Sequence, residues 1–361
     1  MQTLQRMPPA RRRSAFVAAL LIVVVVAVVA LAVGGFWSSA RSASPTPLST
    51  AVAGASSSSA IASVSVATET APASTAPSMS AAPSSGSLSA SPTDAANSLP
   101  DFDHIYVIIL ENKEYGRIVG SKDAPYMNSL VAQYEVATDF LAETHPSEPN
   151  YIALTSGGLQ GANSDGTYNL GVSNLFDQIE ASGRTWRTYA QGYPGNCYTN
   201  SIASAVADGP GAVGDYVRKH NPAMSYTSIS RNPARCANIV KLAGFDPAAA
   251  NFEMIIPNEI NDMHSSSVAA GDAFLKAFVP SIISSPAFAN SVLFITFDEG
   301  DSNVGGGGRI ATIICSPGIS PAGYKFTPQV DHYGLLRTIE QAWSMPFLGQ
   351  AATATTIEIP K

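Results

Sequence analysis

His104-Ile105-Tyr106-Val107-Ile108-Ile109-Leu110-Glu111-Asn112 is the stretch on which the reading of this chain turns. Its first seven residues form an unbroken apolar run rich in β-branched side chains. That is the pattern of a strand buried on both faces, as in a parallel sheet. The run ends on a carboxylate and an amide. Residues 292–297 (VLFITF) repeat the arrangement and end on Asp298-Glu299. Phe252–Ile256 reads as a third strand, followed shortly by Asn261-Asp262-Met263-His264. Residues 185–189 and 310–315 read as further strands. Helices are expected at 124–134, Ser147–Ser156, 174–182, 268–283 and 333–343. This alternation implies an α/β fold with a mostly parallel sheet and helices on both faces. Ligands of such sheets bind beyond the carboxyl ends of the strands. Three strands therefore aim oxygen and nitrogen ligands at one edge.

Working outward, residues 1–13 are basic, with Arg6, Arg11, Arg12 and Arg13. Residues 14–36 hold an apolar span, uncharged from 15 to 33 and just long enough to cross a bilayer. It reads as a transmembrane signal anchor with the N-terminus in the cytoplasm, or as a signal peptide cut after Ala40. Residues 37–100 are Ser, Ala, Thr and Pro with few large apolar groups. They are expected to be a disordered linker, since they cannot offset the entropy of folding. Residues 101–361 remain as one exported folded domain. Of the 20 basic and 27 acidic residues, five basic and two acidic fall in the first hundred, which leaves the domain at a formal −10. No Lys/Arg-rich run occurs in it, which argues against nucleic acid as a partner. Cys197 and Cys236 share the irregular region 196–251 and are the expected disulfide; Cys315 falls in an apolar run and reads as a buried thiol.

The chemistry centres on Thr144-His145-Pro146-Ser147-Glu148-Pro149-Asn150-Tyr151. This reads as a loop feeding a helix, with Ser147 at or near its N-cap and Pro149 in the first turn. Taken alone, it could be no more than an ordinary capped helix. Carboxylates at the ends of two buried strands repel each other unless a cation sits between them. Glu111, Asn112, Asp298 and Glu299 offer hard oxygen ligands that suit Mg, Ca or Mn and can hold Zn. A metal beside Ser147 would lower the hydroxyl's pKa, helix N–H groups and Asn150 would meet developing charge, and imidazoles would protonate a leaving oxygen. Of the five histidines, His104 opens a strand and reads as structural. His145, His220, His264 and His332 lie in polar loops or at element ends. Gly305 to Gly308 lack a following Lys-Ser/Thr and are expected to form a flexible hairpin or lid rather than a phosphate loop. Arg218-Lys219-His220 is either a phosphate contact or a solvated cluster.

The segments HIYVIILEN, APYMNSL, THPSEPNYIALTSG, RKHNP, NDMH, FDEGD and DHYGLLRTIE together resemble a bacterial phosphoesterase family of the alkaline phosphatase superfamily. The family contains secreted acid phosphatases and phosphatidylinositol phosphatases and is related to bacterial phospholipases C. The resemblance covers residues 102–345. It implies a three-layer α/β/α sandwich and a metal-dependent reaction through a phosphoenzyme. By motif, Glu111, Asn112, Asp298 and Glu299 are metal ligands and Ser147 is the nucleophile. Asn150 contacts phosphate, His220 and His264 contact phosphate or the leaving group, and His145 orients the loop or touches phosphate. Asp262, His264 and His332 fall in a suitable order for a second metal. The motif FDEGD departs from the family by placing Gly300 where a polar residue is expected, and Asp301 is left out of the site. Thr144 is a rival hydroxyl. The expected activity is hydrolysis of phosphate monoesters, small or on a phospholipid headgroup. The alternative is a phospholipase C-like phosphodiesterase, and a wall-associated binding module with a decayed site is a third reading.

Overall fold

The computed structural model describes residues 99–201 and 216–361. The basic segment, the apolar span and nearly all of the linker lie outside the described residues. Among the described residues, no helix is long and apolar enough to cross a membrane.

Eight strands form one sheet in the order β4-β3-β5-β1-β6-β7-β2-β8. They are β1 (His104–Leu110), β2 (Glu135–Leu141), β3 (Trp186–Ala190), β4 (Ile239–Lys241), β5 (Phe252–Ile256), β6 (Ser291–Phe297), β7 (Arg309–Cys315) and β8 (Tyr324–Phe326). Only β7 runs against the rest, pairing antiparallel with β6 and β2. The central strands β5, β1 and β6 are parallel neighbours. Every residue of β5 and β6 is buried, and so is β1 after His104, so both faces of the sheet are covered. Each such Ile, Leu, Val or Phe contributes about 1.5–3 kcal/mol by leaving water. Strands β2, β4 and β8 are not legible as apolar runs, because Glu135, Thr138, Asp139, Lys241 and Lys325 interrupt them.

The main helices are α1 (Pro125–Gln133), α2 (Ser147–Ser156), α3 (Leu175–Ala181), α4 (Val268–Phe278) and α5 (His332–Ala342). The helix expected over 268–283 is broken: Pro280 cannot supply the backbone donor a continuing helix needs, and a separate turn, Pro280–Ile283, follows. Asn174, Ser267 and Asp331 cap α3, α4 and α5 through their side chains. Helix α2 differs. All ten of its residues are buried, and no side chain caps it. It stops at Gly157 (φ 70°), where a Cβ would lie 2.1 Å from the Leu348 carbonyl oxygen. Gly349 packs back on Gly157 in the same way, and the Gln350 N–H donates to the Gly157 carbonyl. Residues 348–350 are thus docked on the end of α2. A disulfide joins Cys197 to Cys236, and Cys315 is a buried free thiol.

Candidate active site

The register of the central strands builds the site. Leu110 pairs with Phe297, so the next residues, Glu111 and Asp298, emerge side by side. The Glu111 N–H donates to the Asp262 carbonyl, which brings the loop after β5 to the same edge. Glu111, Asp262 and Asp298 are each buried to within about 1%. His220 arrives from the 216–226 segment, with Nε2 3.2 Å from Glu111 Oε1 and Nδ1 3.4 Å from Asp262 Oδ2. Neither contact is aligned as a hydrogen bond, and both ring nitrogens lack a hydrogen-bond partner. One potential ligand atom each from Glu111, His220 and Asp262 lie within 4.8 Å of one another, close enough to share a metal ion.

The electrostatics point the same way. Burial, then repulsion from Asp298 and Asp262, pushes the Glu111 carboxyl well above its usual range. Burial pushes Asp262 and Asp298 upward too, and Asp298 adds to the effect on Asp262. His220 is driven the other way, first by burial and then by Lys219 and His264, so its imidazole is neutral with a lone pair to give. Asp262 Oδ2, Asp298 Oδ2 and Asn112 Oδ1 are buried without partners. Buried polar atoms are normally satisfied. A set of orphaned oxygens around a neutral imidazole fits a divalent cation. Asn112 (φ 47°) and Met263 (φ 83°), beside those ligands, hold left-handed backbone angles that non-glycine residues rarely adopt. Strain of that kind gathers at functional sites.

Ser147 is the first residue of α2, one position inside the cap expected for it; Pro146 takes the cap. Its hydroxyl, freed from capping, donates to Glu111 Oε2 at 3.1 Å and is 2% exposed. Thr144 instead donates to the His145 carbonyl. Asn150 is one turn on, but its amide is spent on the loop. Its Oδ1 accepts from the Glu143 and Thr144 N–H groups, and its Nδ2 donates to the Thr144 and Pro146 carbonyls. The amide expected to contact phosphate is, in this geometry, bonded within the loop that leads to Ser147. His145 is likewise held between Glu299 Oε2 (2.9 Å) and the Ser302 carbonyl (2.8 Å). Burial opposes its protonation, but that carbonyl and Glu299 outweigh it and raise its pKa. Glu299 also accepts from Asn112 Nδ2 at 2.6 Å.

Asp262, His264 and His332 are not brought together. Asp262 joins Glu111 and His220. His332 is fully buried with Nδ1 on Glu143 Oε2 and Nε2 on the Phe297 carbonyl. Burial opposes protonation of that ring, but Glu143 and the Phe297 carbonyl outweigh it and raise its pKa, and both ring nitrogens are engaged by those oxygens. His264 stands half-exposed at the rim, its ring centroid 6.0 Å from that of His220. Arg218 is buried against Glu148 and the Tyr168 and Met224 carbonyls, and so anchors the His220 segment to α2. The sequence reading missed Tyr151. Its hydroxyl donates to Glu111 Oε1 and its ring stacks on His220 at 5.5 Å. Its place four residues after Ser147, on the same helix face, was the available signal.

The glycine run is not a loose lid. A Cβ on Gly306 would lie 2.1 Å from the Glu143 carbonyl oxygen, and one on Gly307 2.5 Å from that of Thr144. The Gly307 N–H donates to the Ala142 carbonyl, and the Ala142 N–H to that of Gly308. The run is a strap against the loop that leads to Ser147. Gly300 is explained in the same way, since a Cβ there would meet Glu114 Oε1 at 2.4 Å.

Residues 120–346 match the Phosphoesterase family. The chain belongs to that family. This phosphoesterase is 31% identical over 265 residues to the phosphatidylinositol-3-phosphatase of Mycobacterium tuberculosis, covering 73% of this chain and 84% of that protein. It is 29% identical to a probable acid phosphatase of Kluyveromyces lactis, covering 69% of this chain and 60% of the yeast protein. Among solved structures, an alkaline phosphatase superfamily protein from Vibrio parahaemolyticus aligns with a TM-score of 0.47 and 13% identity over 71% of each chain. As expected from its motifs, the phosphoesterase is a hydrolase acting on ester bonds.

Proposed function

We propose that this phosphoesterase is an exported, metal-dependent phosphatase that hydrolyses phosphate monoesters through a phosphoserine at Ser147. One observation carries the reading: Glu111, Asp262, Asp298 and His220 converge, buried, with Asp262 Oδ2, Asp298 Oδ2 and both His220 nitrogens short of partners, beside a serine hydroxyl that its own helix does not use. Glu111, Asn112, His220, Asp262, Asp298 and Glu299 would hold the divalent ion. Their oxygens suit Mg, Ca or Mn, and the imidazole admits Zn. Such an ion, when bound, offsets the carboxylate charge and stabilises negative charge on the phosphoryl and serine oxygens. Ser147 Oγ bonds to phosphorus and passes its proton to Glu111 Oε2, the carboxylate oxygen it already meets, as the ester P–O bond breaks. His264, at the rim, protonates the leaving oxygen. Water then attacks the phosphoserine, which releases phosphate and restores the hydroxyl. Asn150, His145 and the glycine strap hold the loop in register throughout.

The relatives' names, acid phosphatase and phosphatidylinositol-3-phosphatase, support a monoester on a small molecule or a phospholipid headgroup. The leading arginines and the apolar span support export, with attachment to the membrane through residues 14–36. Ser147→Ala and chelation should each lower hydrolysis of an aryl phosphate by at least about a thousandfold, the usual scale for losing a nucleophile or its activating ion. Full activity in either case overturns the mechanism. Faster cleavage of a phosphocholine diester than of a monoester would favour the diesterase.

A further inference from the structure

Helix α2 has no capping side chain of its own, and a carboxylate from elsewhere in the chain sits at its start. Asp165, on the exposed stretch 163–167, reaches back so that its Oδ1 accepts the Glu148 N–H at 3.0 Å. Glu148 is the residue after Ser147. The other oxygen, Oδ2, accepts from the Lys219 ammonium at 2.7 Å. Lys219 precedes His220, whose Nε2 is 3.2 Å from Glu111 Oε1, and Glu111 in turn meets the Ser147 hydroxyl at 3.1 Å. Burial opposes the charge on Lys219, but Asp165, Glu111 and Asp298 outweigh it and raise its pKa. The ammonium is thus within electrostatic reach of the carboxylates at the sheet edge. Its neighbour Arg218 is committed to Glu148 and to two carbonyls, so Lys219 is the cation of this segment whose partner faces solvent.

A backbone N–H in the first turn of a helix, with a cation beside it, is a donor set suited to phosphate oxygens. Here both donors adjoin the nucleophile, and one carboxylate takes both. A phosphate monoester carries about twice the charge of a carboxylate and so competes well for the same donors. Asp165 also has room to leave. Its side chain is 34% exposed, and a cavity of about 320 Å³ is lined by Asp165, Gly166, Thr167, Ser201 and Lys219.

We propose that Asp165 is a built-in competitor for the substrate's phosphate: Lys219 and the Glu148 N–H form an anion site beside Ser147, and Asp165 fills it until a phosphate displaces it. This rests on Ser147 as the nucleophile and concerns the regulation of that same site. Asp165 returns as inorganic phosphate departs, which weakens the hold on product as well as on substrate.

The test uses the full-length protein, an aryl phosphate as substrate and inorganic phosphate as inhibitor. Asp165→Ala should lower KM and the phosphate inhibition constant together, each about tenfold, the scale of one charged contact. Asp165→Asn keeps an acceptor for the Glu148 N–H, loses the charge facing Lys219, and should shift both constants in the same direction. Lys219→Gln should raise both, and in its presence Asp165→Ala should lose most of its effect. A carboxylate that merely anchors its loop gives the opposite sign: both constants rise, or kcat alone falls. Either result in the two Asp165 variants overturns the proposal, and so do unchanged constants. The Kd of inorganic phosphate, measured by calorimetry in a Ser147→Ala background, keeps the two readings apart. Turnover by Ser147→Ala brings down the nucleophile, whereas tighter phosphate binding on adding Asp165→Ala upholds the competitor and unchanged binding removes it.

Discussion

Replacing Glu135 with glutamine should make the protein more stable, and increasingly so as pH rises. Glu135 opens β2, is fully buried, and has no hydrogen-bond partner on either carboxylate oxygen. Burial, reinforced by Glu358, raises its pKa from 4.5 to about 8. A carboxyl raised in the folded state binds more protons there than in the unfolded chain at intermediate pH. Stability is therefore full below about pH 4.5 and falls by up to about 1.4 kcal/mol per unit until pH passes 8. At pH 8 the accumulated penalty is about 4 kcal/mol. Glutamine keeps the shape and never ionises. Urea unfolding of both proteins at pH 5, 6.5 and 8, followed by tryptophan fluorescence, isolates this group, because other titrations cancel in the difference. The variant should gain about 3–4 kcal/mol relative to wild type between pH 5 and pH 8. A difference that stays constant across that range refutes the reasoning.

Three other perturbations test the site and its supports. Tyr151→Phe removes a donor to the Glu111 carboxylate while keeping the ring on His220, and should lower kcat/KM about 10- to 100-fold, the scale of one charged hydrogen bond; wild-type kinetics would exclude Tyr151 from the site. Gly306→Ala forces a Cβ toward the Glu143 carbonyl at φ 116°, and should cost about 2–4 kcal/mol in unfolding together with activity; unchanged turnover would mean the strap does not set the loop. Cys197→Ser opens a cross-link spanning 39 residues and should lower stability by about 2–4 kcal/mol by loop entropy, read as a shifted urea midpoint.

The sequence discloses the frame of this site because strand ends are written as apolar runs followed by polar pairs. β1 and β6 are legible on that basis and β5 as an apolar run with Asn261 and Asp262 a few residues on, and the carboxylates they bring to the sheet edge follow. What it conceals are the partners of those groups. Nothing in the spacing of His332 tells that Glu143 and the Phe297 carbonyl occupy both of its nitrogens. Nor does the octapeptide tell that Asn150 spends its amide on the backbone of its own loop. His220 and Asp262 lie 42 residues apart in the chain and meet each other and Glu111 only at the folded sheet edge, a convergence that no local pattern announces. Strands β2, β4 and β8 were hidden for a simpler reason. Each is short or carries charged residues, and tertiary pairing overrides what its composition suggests.

The docking of Gly157 against Leu348 and Gly349 bears on how the enzyme can be trimmed or tagged. Beyond it, Ile357 and Ile359 are buried, and the Ser320 N–H donates to the Pro360 carbonyl. A fragment cut at residue 346, where the family match stops, would keep every candidate ligand and still uncover the far end of the helix that begins at Ser147. Residues 348–350 act as a buttress for α2 ten residues along from Ser147, and a change in them would lean on that helix.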